Sequence, residues 1–121
     1  MIQFSYSVEA LSNISVLRQA TERCYYMNPQ DPDNNCLLNK NLFPGNTLDI
    51  EDPGNSPNAH FQYRVEIYTP AGETVVWIIA TRNTRDGGAG GFGDYIWLSC
   101  PLRSVGGGCT TTGHGIFQGI K

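Results

Sequence analysis

The sequence predicts an α+β domain in which one N-terminal amphipathic helix packs on a three- to four-stranded antiparallel sheet. Apolar residues recur at three- and four-residue steps only near the N-terminus. Strict alternation begins only at Phe61, and the stretch between is punctuated throughout by turn residues. A helix followed by a run of strands, with one helix available to cover them, gives a helix packed on one sheet face. The single domain, residues 1–121, divides into a helix at about 7–27, an irregular αβ loop at about 28–59, and a sheet with a C-terminal loop at about 60–121.

The helix is read from Leu11, Ile14, Leu17, Thr21, Cys24 and Tyr25, which form one stripe. Ser7 is the expected cap, its hydroxyl accepting from an otherwise unpaired backbone N–H of the first turn. Glu9 suits that first turn, and Arg18 and Arg23 suit later ones, because each sign opposes the partial charge of the nearer helix end. Asn28-Pro29 ends the helix. The opposite face carries Ser12, Ser15, Gln19 and Glu22 and meets solvent or another subunit.

From Asn28 to Ala59 the segments NPQDPDNN, LFPGN and EDPGNSPN signal one turn after another. Loops of this length in a compact domain are usually functional or pinned down. Cys36 is positioned to pin the first part to the helix end at Cys24, with Leu37, Leu38, Leu42, Phe43, Leu48 and Ile50 expected beneath as satellite core.

Phe61, Tyr63, Val65 and Ile67 then alternate with Gln62, Arg64, Glu66 and Tyr68, which predicts a strand with one buried face. Thr69-Pro70-Ala71-Gly72 reads as a turn, and Glu73 to Thr81 returns as a largely apolar strand of an antiparallel hairpin, with Trp77 expected to be buried. After the glycine-rich Asp86 to Gly93, Tyr95 to Ser99 forms a third strand, and Ile116-Phe117 begins a short fourth.

At 121 residues there is room for one hydrophobic core. A 40% hydrophobic fraction with two Trp, six Tyr and five Phe supplies enough apolar surface to offset chain entropy. Eleven acidic against eight basic residues, a net charge of -3, leave no electrostatic footprint for nucleic acid or an anionic membrane. Four cysteines allow three pairings. Local pairing of Cys24 with Cys36 and Cys100 with Cys109 is the one adopted, since these gaps exceed CxxC-type zinc spacing and suit stapled loops. Each such staple contributes about 3 kcal/mol if unstrained. Disulfides place the chain outside the cytosol, against the alternative of a reduced cytosolic protein with four incidental thiols. Met1 to Tyr6 contains neither a signal peptide nor a membrane span, so an export segment is expected upstream.

The helix end RQATERCYY (Arg18 to Tyr26), the irregular loop, and FQYRVEIYTP followed by WIIATRN and a glycine-rich return to a strand together resemble a type IV pilin or pseudopilin head. The resemblance spans Val8 to Cys100 and is strongest at Arg18 to Tyr26 and Ala80 to Asn83. It implies a structural subunit of an extracellular type IV pilus or pseudopilus, assembled through its N-terminal helix with other pilin subunits. The αβ loop and the region bounded by Cys100 and Cys109 would then face outward. Pilins begin with a prepilin-peptidase site and an apolar helical half, neither of which occurs in these residues. The resemblance implies such a half upstream, anchoring the subunit in the inner membrane before it enters an extracellular filament or the periplasm. The alternative is a secreted carbohydrate- or ligand-binding module without filament assembly. Tyr95 and Trp97 share one strand face and are its expected exposed pair, whereas Trp77, Tyr63 and Tyr68 are of a kind more often found in cores.

Other motifs lead away from catalysis. Gly88 to Gly93 matches GxGxxG, but a strand follows where a dinucleotide site needs a helix, so a surface loop is expected. Arg85 beside it is a single arginine in an acidic domain and makes no nucleic-acid motif. Asp31, Asp33 and Asn35 alternate like the first EF-hand ligands, yet Cys36 stands where glycine is required and the twelfth position has no glutamate. Asp49, Glu51 and Asp52 offer calcium oxygens or serve as solvated turn acids. His60 and His114 have no carboxylate or cysteine at a metal-binding or nucleophile-activating spacing. Ser104 and Thr110 to Thr112 lack a base, and Glu66 with Glu73 is merely one of many carboxylate pairs open to a glycosidase reading. Asn13-Ile14-Ser15 is a glycosylation triplet inside the helix, where the acceptor is out of place. No catalytic residue, cofactor or metal is expected, and any small-molecule ligand is unspecified.

Overall fold

A computed structural model describes residues 2–68, 74–83, 94–101 and 108–118. Among them one long helix, α1 (Ile2–Met27), lies on a four-stranded antiparallel meander, the α+β arrangement expected. The strands are β1 (Phe61–Tyr68), β2 (Val75–Arg82), β3 (Tyr95–Pro101) and β4 (Thr110–His114), each hydrogen-bonded to its neighbour in sequence. The predicted turn at Thr69 to Gly72, Glu73, Arg85, the glycine-rich segment and Ser104 lie outside the described residues.

The start of α1 differs from expectation. Ser7 does not cap the helix but is buried within it, and Glu9 is correspondingly not in the first turn. The helix continues upstream because nothing at Ser7 breaks it and because Tyr6 extends the inner stripe by stacking on His60, rings 3.8 Å apart. Tertiary packing of this kind overrides a local cap signal. The buried stripe is Ala10, Ile14, Leu17, Ala20 and Thr21, with Cys24 packed against it. The two alanines leave room for close approach to the sheet, and Leu11 sits on the exposed flank instead. At the far end the Asn28 backbone N–H and side-chain amide both donate to the Cys24 carbonyl, at 2.9 and 3.0 Å, closing the last turn.

The inner sheet face is Phe61, Tyr63, Val65 and Ile67 on β1, Val76, Ile78 and Ala80 on β2, and Ile96, Leu98 and Cys100 on β3. The fourth strand is Thr110–His114 rather than Ile116-Phe117. Three successive threonines suit an extended backbone. Gly115, at a left-handed φ of 67°, then turns the chain into a 3-10 turn at Gly115–Phe117. That turn buries Phe117 against Phe61, ring centroids 5.5 Å apart, which accounts for its apolarity without a strand.

The segment from Asn28 to His60 is irregular but tied at many points. It contains a short helix, α2 (Pro32–Asn35), and the Cys24–Cys36 disulfide joins it to the end of α1. A second disulfide joins Cys100 to Cys109. Leu38 exchanges two backbone hydrogen bonds with Val65, at 3.0 and 2.9 Å, and so covers the outer edge of β1. Asn39, in the left-handed region at φ 51°, donates to the Tyr63 carbonyl and to Asp52. Leu38 and Leu48 are buried and Leu37 and Ile50 half-buried, but Phe43 is 75% exposed. It leaves the 3-10 turn at Lys40–Leu42 in an extended conformation before Pro44, which carries its ring away from the core. The Leu42 side chain lies outside what is described.

Candidate functional site

The face of the sheet opposite α1 is aromatic. Because Val76, Ile78 and Ala80 take the inner face, alternation forces Trp77 and Ile79 outward. Trp77 is therefore half-buried on the outer face and not in the core, contrary to the expectation drawn from its apolar neighbours. Register sets Ile79 between Arg64 and Trp97, and Trp97 between Ile79 and Thr112. In the next row Tyr95 lies between Thr81 and His114, and on the other side Trp77 lies between Glu66 and Ser99.

These rings form a diagonal across the sheet. Tyr68, 44% exposed, packs on Trp77 at 4.8 Å, and Trp77 meets Trp97 edge to face at 5.3 Å and 83°. Tyr95 stacks on His114 at 4.9 Å with ring planes only 4° apart. Tyr95 and Trp97 thus share the outer face as the sequence indicates, although both are half-buried rather than exposed, with Trp77, Tyr68 and His114 added to them. Tyr63 is excluded from this face. It is buried on the inner one, where its hydroxyl accepts from the Asn13 amide at 2.9 Å and burial raises its ionisation well above the ordinary tyrosine range. The glycosylation triplet's asparagine is thereby engaged in an internal contact.

Around the rings stand hydroxyls and one ion pair. Thr110 and Thr112 are exposed and Thr81 and Ser99 half-buried. Arg64 donates to Glu66 at 2.6 and 3.1 Å, and the Asn41 backbone N–H donates to the same oxygen at 3.2 Å. Glu66 is held by these partners, and Glu73, the other carboxylate of the glycosidase alternative, is outside the described residues. The indole Nε1 of Trp97 is, among the described residues, the buried side-chain nitrogen or oxygen without a hydrogen-bond partner.

A second cluster joins α1 to the start of β1. His60 Nδ1 lies 2.7 Å from Glu9 Oε1, and its backbone N–H donates to the other carboxylate oxygen at 3.0 Å. Arg82, only 2% exposed, donates to the His60 and Asn83 carbonyls at 2.8 and 3.3 Å, with its guanidinium 4.6 Å above the Tyr6 ring. Sequence spacing hid the partnership of Glu9 and His60 because 51 residues separate them. Arg82 gave no signal either, since strand parity alone determines that it points inward.

Asp31, Asp49 and Asp52 of the loop are held in structural contacts. Asp49 accepts two hydrogen bonds from Arg23, at 2.8 and 2.9 Å, which lower the Asp49 pKa and raise that of Arg23. Asp52 accepts from the Gly54 N–H at 2.8 Å, closing a turn, and Asp31 accepts from Asn34. Among the described residues no three His, Cys, Asp or Glu side chains converge as metal ligands, so Asp49, Glu51 and Asp52 are not brought together.

The outer face of α1 is the other exposed surface with apolar content. Val8 is 68% exposed, Leu11 37%, Val16 46%, Tyr26 67% and Met27 81%, interleaved with exposed Ser12, Ser15 and Gln19. Arg18 and Glu22 pair with each other at 3.0 Å. Among the described residues no helix is long and apolar enough to cross a membrane. Two disulfides point to an oxidising, extracellular or periplasmic setting. No protein-family model, curated protein or solved structure matches this chain.

Proposed function

We propose that this chain is a structural subunit of an extracytoplasmic filament of the type IV pilus or pseudopilus class, packed against its neighbours through the outer face of α1. The observation that carries the reading is that face itself. A helix laid on one side of a sheet ordinarily turns a charged stripe to water. Here the outward positions hold Val8, Leu11, Val16, Tyr26 and Met27 with Ser12, Ser15 and Gln19 between them, while Arg18 pairs with Glu22 and the exposed Arg23 with Asp49. Such a stripe suits lateral packing of helix on helix, where small residues allow close approach and apolar ones exclude water. The stapled αβ loop and the disulfide at Cys100–Cys109 support an outward-facing head that keeps its shape in an oxidising medium. Anchorage of the subunit in the inner membrane before assembly belongs to the same proposal, as does its partnership with further pilin subunits. The role needs no catalytic step and no cofactor.

Electron microscopy of surface structures sheared from the producing cells, labelled with antibody to this chain, tests the proposal. Labelled filaments are expected from wild-type cells. A Val8→Glu, Val16→Glu variant whose circular dichroism is unchanged is expected to leave none. Filaments that form normally with the variant, or recovery of the wild-type protein solely as a free monomer, would overturn it.

A further inference from the structure

We infer that the aromatic outer face of the sheet is a binding site for a neutral glycan, with Trp97 as its central stacking platform. Trp97 lies in β3 with the Trp77 ring nearly perpendicular to it at 5.3 Å and Tyr95 next along the same strand face. Tyr68 and the stacked pair Tyr95–His114 extend the rings across all four strands. A saccharide ring offers two chemistries at once, a patch of C–H groups and a rim of hydroxyls. Aromatic faces accommodate the first, and the second needs short neutral donors and acceptors nearby. Thr81, Ser99, Thr110 and Thr112 supply these on the same face, and Thr112 stands directly across from Trp97.

Charge selects among occupants. Apart from His114, the ionisable side chains on the outer face of the described strands are Arg64 and Glu66, with the tyrosines, and those two cancel in a pair of 2.6 Å at the margin of the rings. A face of this kind has no complement for a phosphate backbone, an anionic lipid or an acidic polysaccharide. It does complement a neutral polyol.

The indole N–H of Trp97 supplies an independent reason. It is buried without an acceptor, a cost that phenylalanine at the same place would avoid while filling much of the same space. Folding alone therefore gives no reason for tryptophan there, whereas a wide stacking surface does.

Intrinsic tryptophan fluorescence of the intact chain, titrated with neutral hexasaccharides of glucose, xylose and N-acetylglucosamine, tests the site. At least one is expected to shift the emission and to saturate. Trp97→Ala should weaken that binding by about tenfold or more, the loss of one stacking ring. Trp97→Phe should weaken it measurably while its thermal midpoint equals or exceeds that of the wild type, which a purely structural role for Trp97 does not predict. No saturable response to any of these sugars, undiminished binding by both variants, or tighter binding of a sulfated hexasaccharide than its neutral parent would overturn the inference. So would sedimentation showing a sugar-free dimer that Trp97→Ala dissolves, since the face would then belong to a second copy.

Discussion

Single residues in this molecule act through contacts that are remote in sequence. Tyr63 illustrates the energetic side. Its phenol is buried beneath α1 and bonded to Asn13, and burial disfavours the phenolate, so its pKa in the fold is raised from 10.0. In the unfolded chain it ionises near the ordinary value, so the unfolded state releases its proton first as the pH rises. The stability linked to Tyr63 is complete below pH about 10 and is lost progressively as the pH climbs from there toward the folded value. Urea midpoints measured across alkaline pH should fall for the wild type, and the fall should be smaller in Tyr63→Phe. The same scale explains much of what sequence reading missed. Trp77 sits in VVWIIA, where every neighbour is apolar and alternation leaves no mark, so its face is known only once the register of β2 is fixed. Glu9 with His60, and Arg82 with the His60 carbonyl, are contacts that no local spacing encodes.

The helix, the loop and the first three strands were each legible as elements because their signals are periodic or strongly punctuated, while their ends were not. Nothing local stops α1 at Ser7, and the packing of Tyr6 on His60 carries it on to Ile2. β4 was hidden because threonines read equally as loop hydroxyls and as strand formers, and Phe117 drew attention as the apolar residue although it fills the core from a turn. The αβ loop owes its order to its attachments, of which the Cys24–Cys36 bond is the covalent one. Replacing both cysteines by serine removes the constraint on the unfolded chain and should cost about 2–4 kcal/mol. Chemical denaturation checks this, and the loss should exceed that from removing the exposed Arg23–Asp49 pair with Arg23→Ala, because exposed pairs contribute little.

At the scale of the whole molecule, two surfaces of different chemistry lie on opposite sides of one core: the outer face of α1 and the outer face of the sheet. The inner residues of both layers lie between them. Sites so separated and without shared partners behave additively. Val8→Glu, which alters the helix face alone, should leave the sugar response of the sheet face unchanged, and Trp97→Phe should leave filament yield unchanged. Fluorescence titration and quantitative microscopy of the single and double variants measure both, and strong coupling between them would show that the two faces are not independent. The α+β layering behind this separation follows from periodicity, but the chemistry of the outer sheet face required the register.

The αβ loop is fastened to α1 by Cys24 to Cys36, Arg23 to Asp49 and Glu9 to His60. Between these fastenings run exposed stretches such as Phe43 to Thr47 and Asn55 to Asn58. A suspended cable keeps its end positions whatever hangs along its span, and extra length in such a span costs only logarithmically. The part of this protein that can diversify is therefore built in. Residues of these exposed stretches can change, or lengthen, and alter what the molecule shows to its surroundings, while buried Leu38 and Leu48 and the helix and sheet beneath stay as they are.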